Sequence, residues 1–488
     1  MSKEKLKILF AAAEVVPFAK TGGLADVSGA LPKALKELGH EIIVVMPRYY
    51  KIDRRKLKKL EAPLGVPMGI MGELWAGVYM SSLPQSDVPI YFIDYEEYFG
   101  RHGLYEDEND GYSDNDNRFV FFSKAALQLC KMLQFTPDII HANDWHTAAM
   151  PLLSQTRFKH DFAHAASVLT IHNLQHQGNF YKGIMDVLEV GWEHFNPHEF
   201  ESFDRVNLLK GAIEQADAVT TVSKKYAEEI QTQEFGFGLE HHIQAHAEKL
   251  FGILNGVDYE EWNPSLDKFL AQKYDFDDMA GKLECKRDMQ KHFNLEMRDD
   301  VPLIGFVGRF AEQKGIGLIA GIIDNILDLD VQIIMLGTGE KWAESFFSNV
   351  AKKRENFALH VGYSDALAHK IEAGSDMFLM PSLFEPCGLN QIYSLRYGTL
   401  PIVRAAGGLD DTIVNFDEAH EHGNGFKFYE ASQEAFYYTV LWAVNIYTHD
   451  KESFEKMQLL AMQQHFSWSD AAKSYEEVYQ YALSKKRI

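Results

Sequence analysis

The sequence has little cysteine and no excess of positive charge, and both features narrow the range of functions that the protein can have. Three cysteines occur among 488 residues, Cys130, Cys285 and Cys387, and they form no CxxC pair. A disulfide framework or a structural zinc site is therefore not expected. The formal net charge is −22, and so negative a surface disfavours nucleic acid as a partner. A neutral polymer, or a small anion held in a locally basic pocket, is compatible with this charge.

Long hydrophobic runs are also missing. No stretch of about 18 apolar residues occurs, so we expect no membrane span. The N-terminal segment MSKEKLKILFAAAEVVPFAK combines lysines with an apolar run, but Glu14 and Pro17 interrupt that run. A first buried strand explains this pattern better than a signal peptide does. Together with the few cysteines, these features predict a cytoplasmic protein.

Several metal and nucleotide motifs are absent as well. The chain has neither a Walker phosphate loop nor HExxH. The run EDENDG at 106–111 imitates the first half of a calcium loop, but Asn117 stands where that loop needs Glu, so no calcium site is predicted. His241, His242 and His246 have helical spacing, and we interpret them as part of a solvent-facing helix. No Asp-x-Asp motif stands at a suitable strand end, and we expect neither a metal nor a cofactor.

The order of the apolar runs predicts two parallel α/β sheets. KLKILFAAAE, LADVSGALPKALKELG and EIIVVMP have the patterns of a strand, a helix and a strand, and PDIIHAND, SVLTIHN and DAVTTVS are further strands that end in polar residues. A second series follows after about residue 250, in LIGFVGR, VQIIMLGTG, FALHVGY, DMFLMPS and LPIVRAAGG. GILNGVDYEEWNP is the candidate boundary between them. We therefore predict two doubly wound domains that face each other across a cleft.

The turn KTGG stands between a predicted strand and the N-terminus of a predicted helix. Gly22 and Gly23 allow a ligand to approach the backbone closely, while the helix dipole and Lys20 favour an anion such as a diphosphate. On spacing alone, a plain tight turn with an exposed lysine is an equally good interpretation.

The segment VGRFAEQKG places two cations after a strand of the second series. Arg309 and Lys314 at the carboxyl end of a strand suit a phosphate leaving group, and an arginine can hold it through two parallel hydrogen bonds. Two solvated surface cations are the alternative.

The segment PSLFEPCGLNQIYSLRYGTLPIVRAAGG places Glu385 at a strand–loop–helix turn. Its carboxylate there can accept hydrogen bonds from sugar hydroxyls, and the N–H groups of Gly388 and Leu389 face the same side. The alternative is a helix cap at Glu385 with Cys387 as core filler.

Together these segments resemble the bacterial glycogen synthases and plant starch synthases, which are ADP-glucose-dependent α-glucan synthases. The resemblance follows the order of the family and extends to SWSDAAKSY near the end of the chain. It rests on EVVPFAKTGGLADV, YSDNDNRFVFFSKAAL, HANDWHTA, TIHNLQHQG, GILNGVDYEEWNP, VGRFAEQKG, DMFLMPSLFEPCGLNQIYSLRYGTLPIVR and GGLDDT.

The resemblance implies the GT-B architecture, with two Rossmann-like doubly wound domains across a deep cleft. Residues 1–250 correspond to an acceptor-side domain and 251–465 to a nucleotide-sugar-binding domain. Residues 466–488 correspond to a helix that crosses back to the first domain. The implied reaction moves glucose from ADP-glucose to the non-reducing end of an α-1,4-glucan with retention of configuration. The implied partners are the donor and a glycogen or maltooligosaccharide acceptor.

The resemblance also implies roles for individual residues. The donor's phosphates and nucleotide are approached by Lys20, Gly22, Gly23 and Asp26, and Tyr363 packs on the nucleobase. Asp144, His172 and Asn255 line the sugar end. The departing diphosphate is neutralised by Arg309 and Lys314. The glucosyl hydroxyls are held by Glu385, beside Cys387, Gly388 and Leu389.

The sequence departs from the family pattern at three positions. Tyr393 stands where the wider retaining family has a second glutamate, so no second carboxylate is required. Leu383 and Ala405 stand where the family usually has arginines, which puts contacts at the rim in doubt. Because no residue pair clearly supplies a nucleophile and an acid, the sequence favours front-face attack over a covalent intermediate. In that route the leaving phosphate takes the acceptor's proton.

Other functions remain compatible with the sequence. A related glucosyltransferase would use UDP-glucose or a small-sugar acceptor. A glucan phosphorylase would need a pyridoxal phosphate lysine, and a glucan-binding protein with a decayed transferase fold would have no turnover. The intact residues Lys20, His172, Arg309, Lys314 and Glu385 argue against the last alternative.

Overall fold

The computed structural model describes residues 5–107 and 110–486. Of these, the residues up to Gly256 and from Trp468 onward form one compact unit, unit 1, and Val257–Ser467 form a second, unit 2. The change between them falls inside GILNGVDYEEWNP, where Gly, Asn, Asp and Pro are concentrated. Residues 108 and 109, in the run EDENDG, lie outside the described residues.

Unit 1 contains a large sheet with helices packed around it and, in its described residues, two small antiparallel sheets. Its strands are β1 (Lys7–Ala11), β2 (Glu41–Pro47), β3 (Lys58–Lys59), β4 (Leu64–Pro67), β5 (Glu73–Ser82), β6 (Pro89–Asp94), β7 (Glu106–Asp107), β8 (Asp110–Gly111), β9 (Ile139–Asn143), β10 (Ala166–Ile171), β11 (Asn179–Tyr181), β12 (Glu201–Ser202), β13 (Arg205–Asn207), β14 (Ala218–Thr221) and β15 (Leu250–Gly252). Its helices before residue 250 are α1 (Gly23–Glu37), α2 (Glu96–Phe99), α3 (Asn115–Met132), α4 (Met150–Gln155), α5 (Lys159–Phe162), α6 (Met185–Leu188), α7 (Leu208–Gln215), α8 (Lys224–Glu229) and α9 (Glu240–Ala245).

The main sheet of unit 1 has the strand order β15-β14-β10-β9-β1-β2-β6-β5-β3, with β4 paired to β5. The strands from β15 to β6 are parallel. All residues of β9 and β10 are buried, as expected where helices cover both faces of a parallel sheet. The predicted strands in PDIIHAND, SVLTIHN and DAVTTVS are confirmed.

The edge formed by β3, β4 and β5 is antiparallel, a feature that the sequence pattern does not predict. The strand β5, ELWAGVYMSS, is only partly buried. Its apolar residues are therefore interrupted, and it lacks the continuous apolar run by which the other strands were identified.

Unit 2 is a smaller, fully parallel sheet with helices between its strands. Its strands are β16 (Leu303–Val307), β17 (Gln332–Gly337), β18 (Phe357–Val361), β19 (Met377–Met380), β20 (Leu400–Arg404) and β21 (Phe426–Phe428). Its helices are α10 (Ala280–His292), α11 (Ile316–Leu327), α12 (Lys341–Ala351), α13 (Asp365–Gly374), α14 (Asn390–Arg396), α15 (Gly407–Thr412), α16 (Gln433–His449) and α17 (Lys451–Met462). The last helix of the chain, α18 (Trp468–Lys486), belongs to unit 1.

The sheet of unit 2 has the order β18-β17-β16-β19-β20-β21. Counted along the chain this is 3-2-1-4-5-6, the order of a Rossmann fold. The seven parallel strands of unit 1 begin with the same order, since β1, β2 and β6 run one way from the centre and β9, β10, β14 and β15 run the other. The prediction of two Rossmann-like domains is confirmed.

Helix α18 packs against α1, β10 and β14. Its Tyr475 and Tyr479 are fully buried, and the Tyr479 hydroxyl lies 2.7 Å from Nδ1 of the buried His141 on β9. The other ring nitrogen of His141 lies 2.7 Å from the Thr170 hydroxyl on β10. Burial lowers the pKa of His141 to about 3, so the ring is neutral and both hydrogen bonds serve to satisfy it.

We expect Tyr479→Phe to destabilise unit 1, because the change leaves a buried nitrogen of His141 without its partner. An unsatisfied buried group costs about 1–3 kcal/mol, and urea unfolding of the full-length protein measures it. Tyr481→Phe is the matched control, since the Tyr481 hydroxyl bonds the Glu248 carbonyl at the surface. Equal unfolding free energies for the two variants would contradict the role assigned to the buried hydrogen bond.

Candidate functional site

The strand order of unit 1 reverses between β1 and β9. At such a point the connections leave toward opposite faces of the sheet and open a crevice at the carboxyl ends of the strands. The loop KTGG follows β1, Asp144 follows β9 and His172 follows β10. The topology therefore brings three of the predicted motifs of unit 1 to one edge of its sheet.

The loop KTGG is held in place by Glu14, a buried carboxylate that the sequence analysis did not assign to the site. The carboxylate of Glu14 accepts hydrogen bonds from the backbone N–H and the hydroxyl of Thr21, from the N–H of Gly22 at 3.3 Å, and from the Tyr105 hydroxyl at 2.6 Å. Burial, with the nearby Tyr49 and Glu14, raises the pKa of Tyr105 well above its usual range. Tyr105 therefore stays a donor to Glu14.

This arrangement changes the interpretation of the loop as an anion site. The N–H groups of Thr21 and Gly22 already donate to the carboxylate of Glu14. They therefore stabilise the turn rather than bind an anion. Helix α1 begins at Gly23, whose N–H is among the first-turn donors that have no intrahelical acceptor. A Cβ atom at Gly22 or Gly23 would meet no atom within 4 Å. Open space therefore adjoins the loop.

The exposed Lys20 pairs with Asp26 on the first turn of α1. The distance from Lys20 Nζ to Asp26 Oδ1 is 2.7 Å. Burial raises the pKa of Asp26, and the ammonium of Lys20 opposes that shift. The pair places one cation beside the open space next to the glycines.

Asp144 and His172 meet at the carboxyl ends of β9 and β10. The Asp144 carboxylate accepts the backbone N–H of His172 at 2.7 Å, and the Asp144 N–H donates to the Thr170 carbonyl at 2.9 Å. Asp144 has φ of 53°, which costs energy for a residue other than glycine and is often found at functional positions. Burial raises the pKa of Asp144 to about 7, although the hydrogen bonds from the backbone N–H groups of His172 and Asn173 lower it.

The side chain of His172 is oriented by Asn143. The Asn143 amide donates from Nδ2 to the Ala11 carbonyl at 3.0 Å, which leaves Oδ1 facing His172 Nε2 at 2.9 Å. Because an amide oxygen only accepts, Nε2 of His172 carries the hydrogen. Burial lowers the pKa of His172 to about 3. At neutral pH the ring is therefore uncharged, with Nδ1 as its acceptor atom.

Asn255 lies beyond β15, in the last stretch of unit 1 before Val257. Only 5% of its surface is exposed, and its Oδ1 has no hydrogen-bond partner in the described part of the chain. A buried amide oxygen without a partner is unfavourable unless a ligand or water satisfies it. The geometry is compatible with the predicted contact to a substrate hydroxyl.

The strand order of unit 2 reverses between β16 and β19, where the cationic and acidic motifs meet. Lys314 follows β16, Glu385 follows β19, and Lys314 Nζ lies 2.5 Å from Glu385 Oε2. The Ser382 hydroxyl donates to the same oxygen at 3.0 Å. Glu385 is 5% exposed, and these two donors fix its carboxylate. Arg309 is exposed and lies 3.5 Å from the side-chain oxygen of Gln313.

The loop after Glu385 is folded by glycines. Gly388 has φ of 69°, and Leu389 is the residue that precedes α14. Gly407 has φ of 47°, and a Cβ there would collide with the Glu385 carbonyl. Cys387 is buried, 6% exposed, which fits the alternative of core filler as well as a place beside the sugar. The structure excludes the cap interpretation of Glu385, because its side chain faces Lys314 and Ser382.

Tyr363 and Tyr393 lie in different environments. Tyr363 follows β18 and is 85% exposed, which leaves its ring face accessible to a flat ligand such as a nucleobase. Tyr393 instead stacks on Trp262, with ring centroids 3.9 Å apart and planes inclined by 4°. The aromatic residue that replaces the family's second glutamate therefore packs within unit 2.

The histidines of the segment at 241–246 differ from the prediction of a solvent-facing helix. His241 is exposed, but His242 and His246 are half-buried. His246 Nε2 lies 2.7 Å from Glu214, and His242 Nε2 lies 3.0 Å from the Lys210 carbonyl. The prediction is wrong for these two because His242 on α9 and His246 directly after it contact α7, a segment distant in sequence.

Within residues 5–107 and 110–486, no helix combines the length and the apolar character that a membrane crossing needs.

Comparison with known proteins identifies both units. The starch synthase catalytic domain family matches residues 7–245, and the family of glycosyl transferases group 1 matches residues 288–457. The chain is 53% identical to glycogen synthase 1 of Geobacter metallireducens, over 99% of this chain and 97% of that protein. It is 43% identical to the glycogen synthase of Treponema denticola, over 99% of each chain.

Among solved structures, the chain is similar to the catalytic domain of starch synthase IV from Arabidopsis thaliana, bound to ADP and acarbose. The TM-score is 0.90 at 34% identity, and the match covers 99% of this chain and 100% of the other. A sucrose-phosphate synthase from Thermosynechococcus elongatus matches with a TM-score of 0.59 at 16% identity, over 98% of each chain. The second similarity concerns the fold alone.

We expect His172 to remain a neutral Nε2–H tautomer from pH 8 down to about pH 4, because its folded pKa is lowered to about 3 by burial. Long-range ¹H–¹⁵N correlation spectra of the folded protein measure the state of each ring nitrogen. Since the folded pKa lies below the unfolded value of about 6.5, His172 contributes stability that is present above that pH and declines as the pH falls toward 3.

The His172→Gln variant assigns the signal of this ring, and the unfolded protein in urea provides the reference titration. A midpoint near 6.5 in the folded protein, or a neutral ring protonated at Nδ1, would contradict the burial and the Asn143 contact described above.

Proposed function

The chain belongs to the glycogen and starch synthase family of glycosyltransferases, and from this premise we propose that it extends an α-1,4-glucan with glucose from ADP-glucose. The proposed transfer goes to the non-reducing end and retains the configuration of the anomeric carbon. The observation that carries the proposal is the contact between Lys314 and Glu385 at the point of strand reversal in unit 2. That contact supports the proposal because it joins an ammonium, which suits phosphate, to a carboxylate, which suits sugar hydroxyls. Support for the donor also comes from the ADP in the starch synthase IV structure.

Lys314 and Arg309 are proposed to stabilise the leaving diphosphate. An ammonium has three donors, and Glu385 takes one of those of Lys314. The remaining donors are available to phosphate oxygens. The guanidinium of Arg309 is exposed at the same loop and forms only a 3.5 Å contact with Gln313 among the hydrogen bonds described. The guanidinium can therefore reorient and bind a phosphate through two parallel hydrogen bonds.

Glu385 is proposed to bind the glucosyl hydroxyls. Lys314 and Ser382 both donate to its Oε2 and so fix the orientation of the carboxylate, whose oxygens are hydrogen-bond acceptors. A carboxylate held by two donors needs little rearrangement when the substrate arrives, which is the basis of electrostatic preorganisation. Cys387, Gly388 and Leu389 are proposed to shape the same end of the site.

Asp144, His172 and Asn255 are proposed to contact the glucosyl group from unit 1. Neutral His172 offers Nδ1 as an acceptor for a hydroxyl, since Nε2 is taken by Asn143. Asp144 fixes the backbone of His172, so we assign it a positioning role as well. Lys20, Gly22, Gly23 and Asp26 are proposed to approach the phosphates, and Tyr363 to stack on the base.

The proposed chemistry is front-face attack. The bond from the anomeric carbon to the phosphate oxygen breaks as the acceptor hydroxyl approaches from the same side, and a phosphate oxygen takes the hydroxyl proton. Glu385 has Lys314 and Ser382 as its neighbours and no acidic partner among those contacts. A glutamate paired with an ammonium suits hydroxyl binding better than nucleophilic attack.

Purified protein incubated with maltoheptaose and either ADP-glucose or UDP-glucose tests the proposal. We expect longer glucans with ADP-glucose, and their digestion by an α-1,4-specific exo-glucosidase shows that the new linkage has retained the configuration. Faster transfer from UDP-glucose would instead support the related glucosyltransferase. Phosphate-dependent shortening of the glucan, with absorption from a bound pyridoxal group, would support a phosphorylase, and no turnover with any donor a binding protein.

Changing Lys314 or Arg309 to alanine should lower kcat by about two to three orders of magnitude, since removal of one stabilising group costs roughly 3–4 kcal/mol in the transition state. Initial rates at saturating donor measure the effect, and circular dichroism checks the fold. Glu385→Gln should lower kcat and kcat/KM together, because a neutral amide holds the ammonium of Lys314 more weakly than a carboxylate does.

Lys341→Ala is the matched control for these changes. The side chain of Lys341 is 89% exposed and pairs with Glu344 on the same helix, so its loss should leave turnover unchanged. A Lys314→Ala enzyme with turnover near that of Lys341→Ala would exclude the proposed role of Lys314, and the same comparison applies to Arg309.

A further inference from the structure

A second group of chemically active side chains lies in unit 2 among residues that have no part in the proposed transfer. Glu261, Asp365 and His369 each contribute one atom capable of binding a metal, and these three atoms lie within 4.8 Å of one another. The two carboxylates are exposed, whereas His369 is 1% exposed. One fixed imidazole and two adjustable carboxylates thus converge at the surface.

Local structure brings the three residues together. Asp365 and His369 lie on α13 with the i, i+4 spacing that places side chains on one face. Glu261 precedes Trp262, whose indole stacks on the His369 ring with centroids 3.7 Å apart and planes inclined by 11°. The other face of Trp262 stacks on Tyr393. This stacking fixes the segment that carries Glu261 against α13.

The imidazole of His369 is held by partners behind it. Its Nδ1 lies 2.7 Å from Oδ2 of the buried Asp267, and the Tyr397 hydroxyl donates to that same oxygen at 2.6 Å. Since a carboxylate accepts, Nδ1 carries a hydrogen. A carboxylate that binds one ring nitrogen and thereby orients the other is the usual arrangement behind a metal-binding histidine.

The second nitrogen of His369 is unsatisfied. Nε2 is buried and has no hydrogen-bond partner in the part of the chain that the structure describes. A metal ion bound by this nitrogen and by the carboxylates of Glu261 and Asp365 would satisfy it.

We propose that Glu261, Asp365 and His369 bind a divalent first-row transition-metal ion, with Asp267 and Tyr397 positioning the imidazole. A nitrogen ligand favours zinc and its neighbours over magnesium and calcium, which prefer oxygen. Ligands around zinc stand about 2.0–2.2 Å from the ion, so the exposed carboxylates close inward on the fixed ring. Three protein ligands leave one position for water. The ion joins the segment before Trp262 to α13.

A second cluster, formed by Glu214, His242 and His246, has similar residue types but a different electrostatic setting. Both histidines already use Nε2 in hydrogen bonds, and the ammonium of Lys249 lies 2.8 Å from the Glu214 carbonyl. A hydrogen-bonded network with a protein cation explains this cluster without a metal. The proposal therefore concerns only the cluster of Glu261, Asp365 and His369.

Chelator-treated full-length protein titrated with Zn²⁺ in a calorimeter tests the proposal. We expect one tight equivalent, a higher melting temperature with Zn²⁺, and a visible d–d absorption band with Co²⁺ as the probe. Glu261→Gln and Asp365→Asn, both at the surface, should each weaken Zn²⁺ binding at least tenfold. His369→Gln should abolish it.

Glu260→Gln is the matched control, because it removes the same charge from the exposed neighbour of Glu261. Retained binding in this variant, together with loss in Glu261→Gln and Asp365→Asn, supports the site even if His369→Gln does not fold. Absence of Zn²⁺ binding, equal weakening by Glu260→Gln, or loss of binding only in His246→Ala would each overturn it.

Discussion

In both sheets the first strand of the unit has neighbours whose connections leave on opposite faces, and the placement of the candidate residues depends on this reversal. β1 lies between β2 and β9, and β16 lies between β17 and β19. Because parallel strands end at the same edge, loops far apart in sequence meet where the order reverses. Lys314 and Glu385 are 71 residues apart and nonetheless form an ion pair there.

The polar groups at these edges are satisfied mainly by one another, which makes them rigid. Glu14 binds the KTGG turn and Tyr105, Asn143 fixes His172, and Ser382 assists Lys314 in holding Glu385. A buried carboxylate or imidazole without partners would be costly. The partners therefore stabilise the fold and at the same time hold each group in one orientation, as the proposed sugar and phosphate recognition requires.

Burial sets the charge of the ionisable groups in unit 1. It lowers the pKa values of His141 and His172 to about 3 and raises that of Asp144 to about 7. The imidazoles are consequently neutral hydrogen-bonding groups at physiological pH. Positive charge near the candidate site comes from lysine and arginine, whose charge does not change in this range. This division suits the proposed reaction, in which a diphosphate leaves.

Much of the fold was predictable from the sequence, because continuous apolar runs identify buried parallel strands. The strand-end positions of many candidate residues were predictable as well, because the motifs follow those runs, while their roles stay a proposal. Two kinds of structural feature could not be predicted from the sequence. The antiparallel edge at β5 lacks a continuous run, and the hydrogen-bond partners are distant in sequence: Glu14 with Tyr105, Asn143 with His172, and Asp267 with His369. For Glu14 a signal existed, since a carboxylate directly after three alanines interrupts an apolar run.

By itself the sequence determined the elements, the motifs at their ends and the family, because these depend on local patterns. Only the tertiary structure decided which side chains meet and which are neutral, because contact and burial arise when segments far apart in the chain pack together.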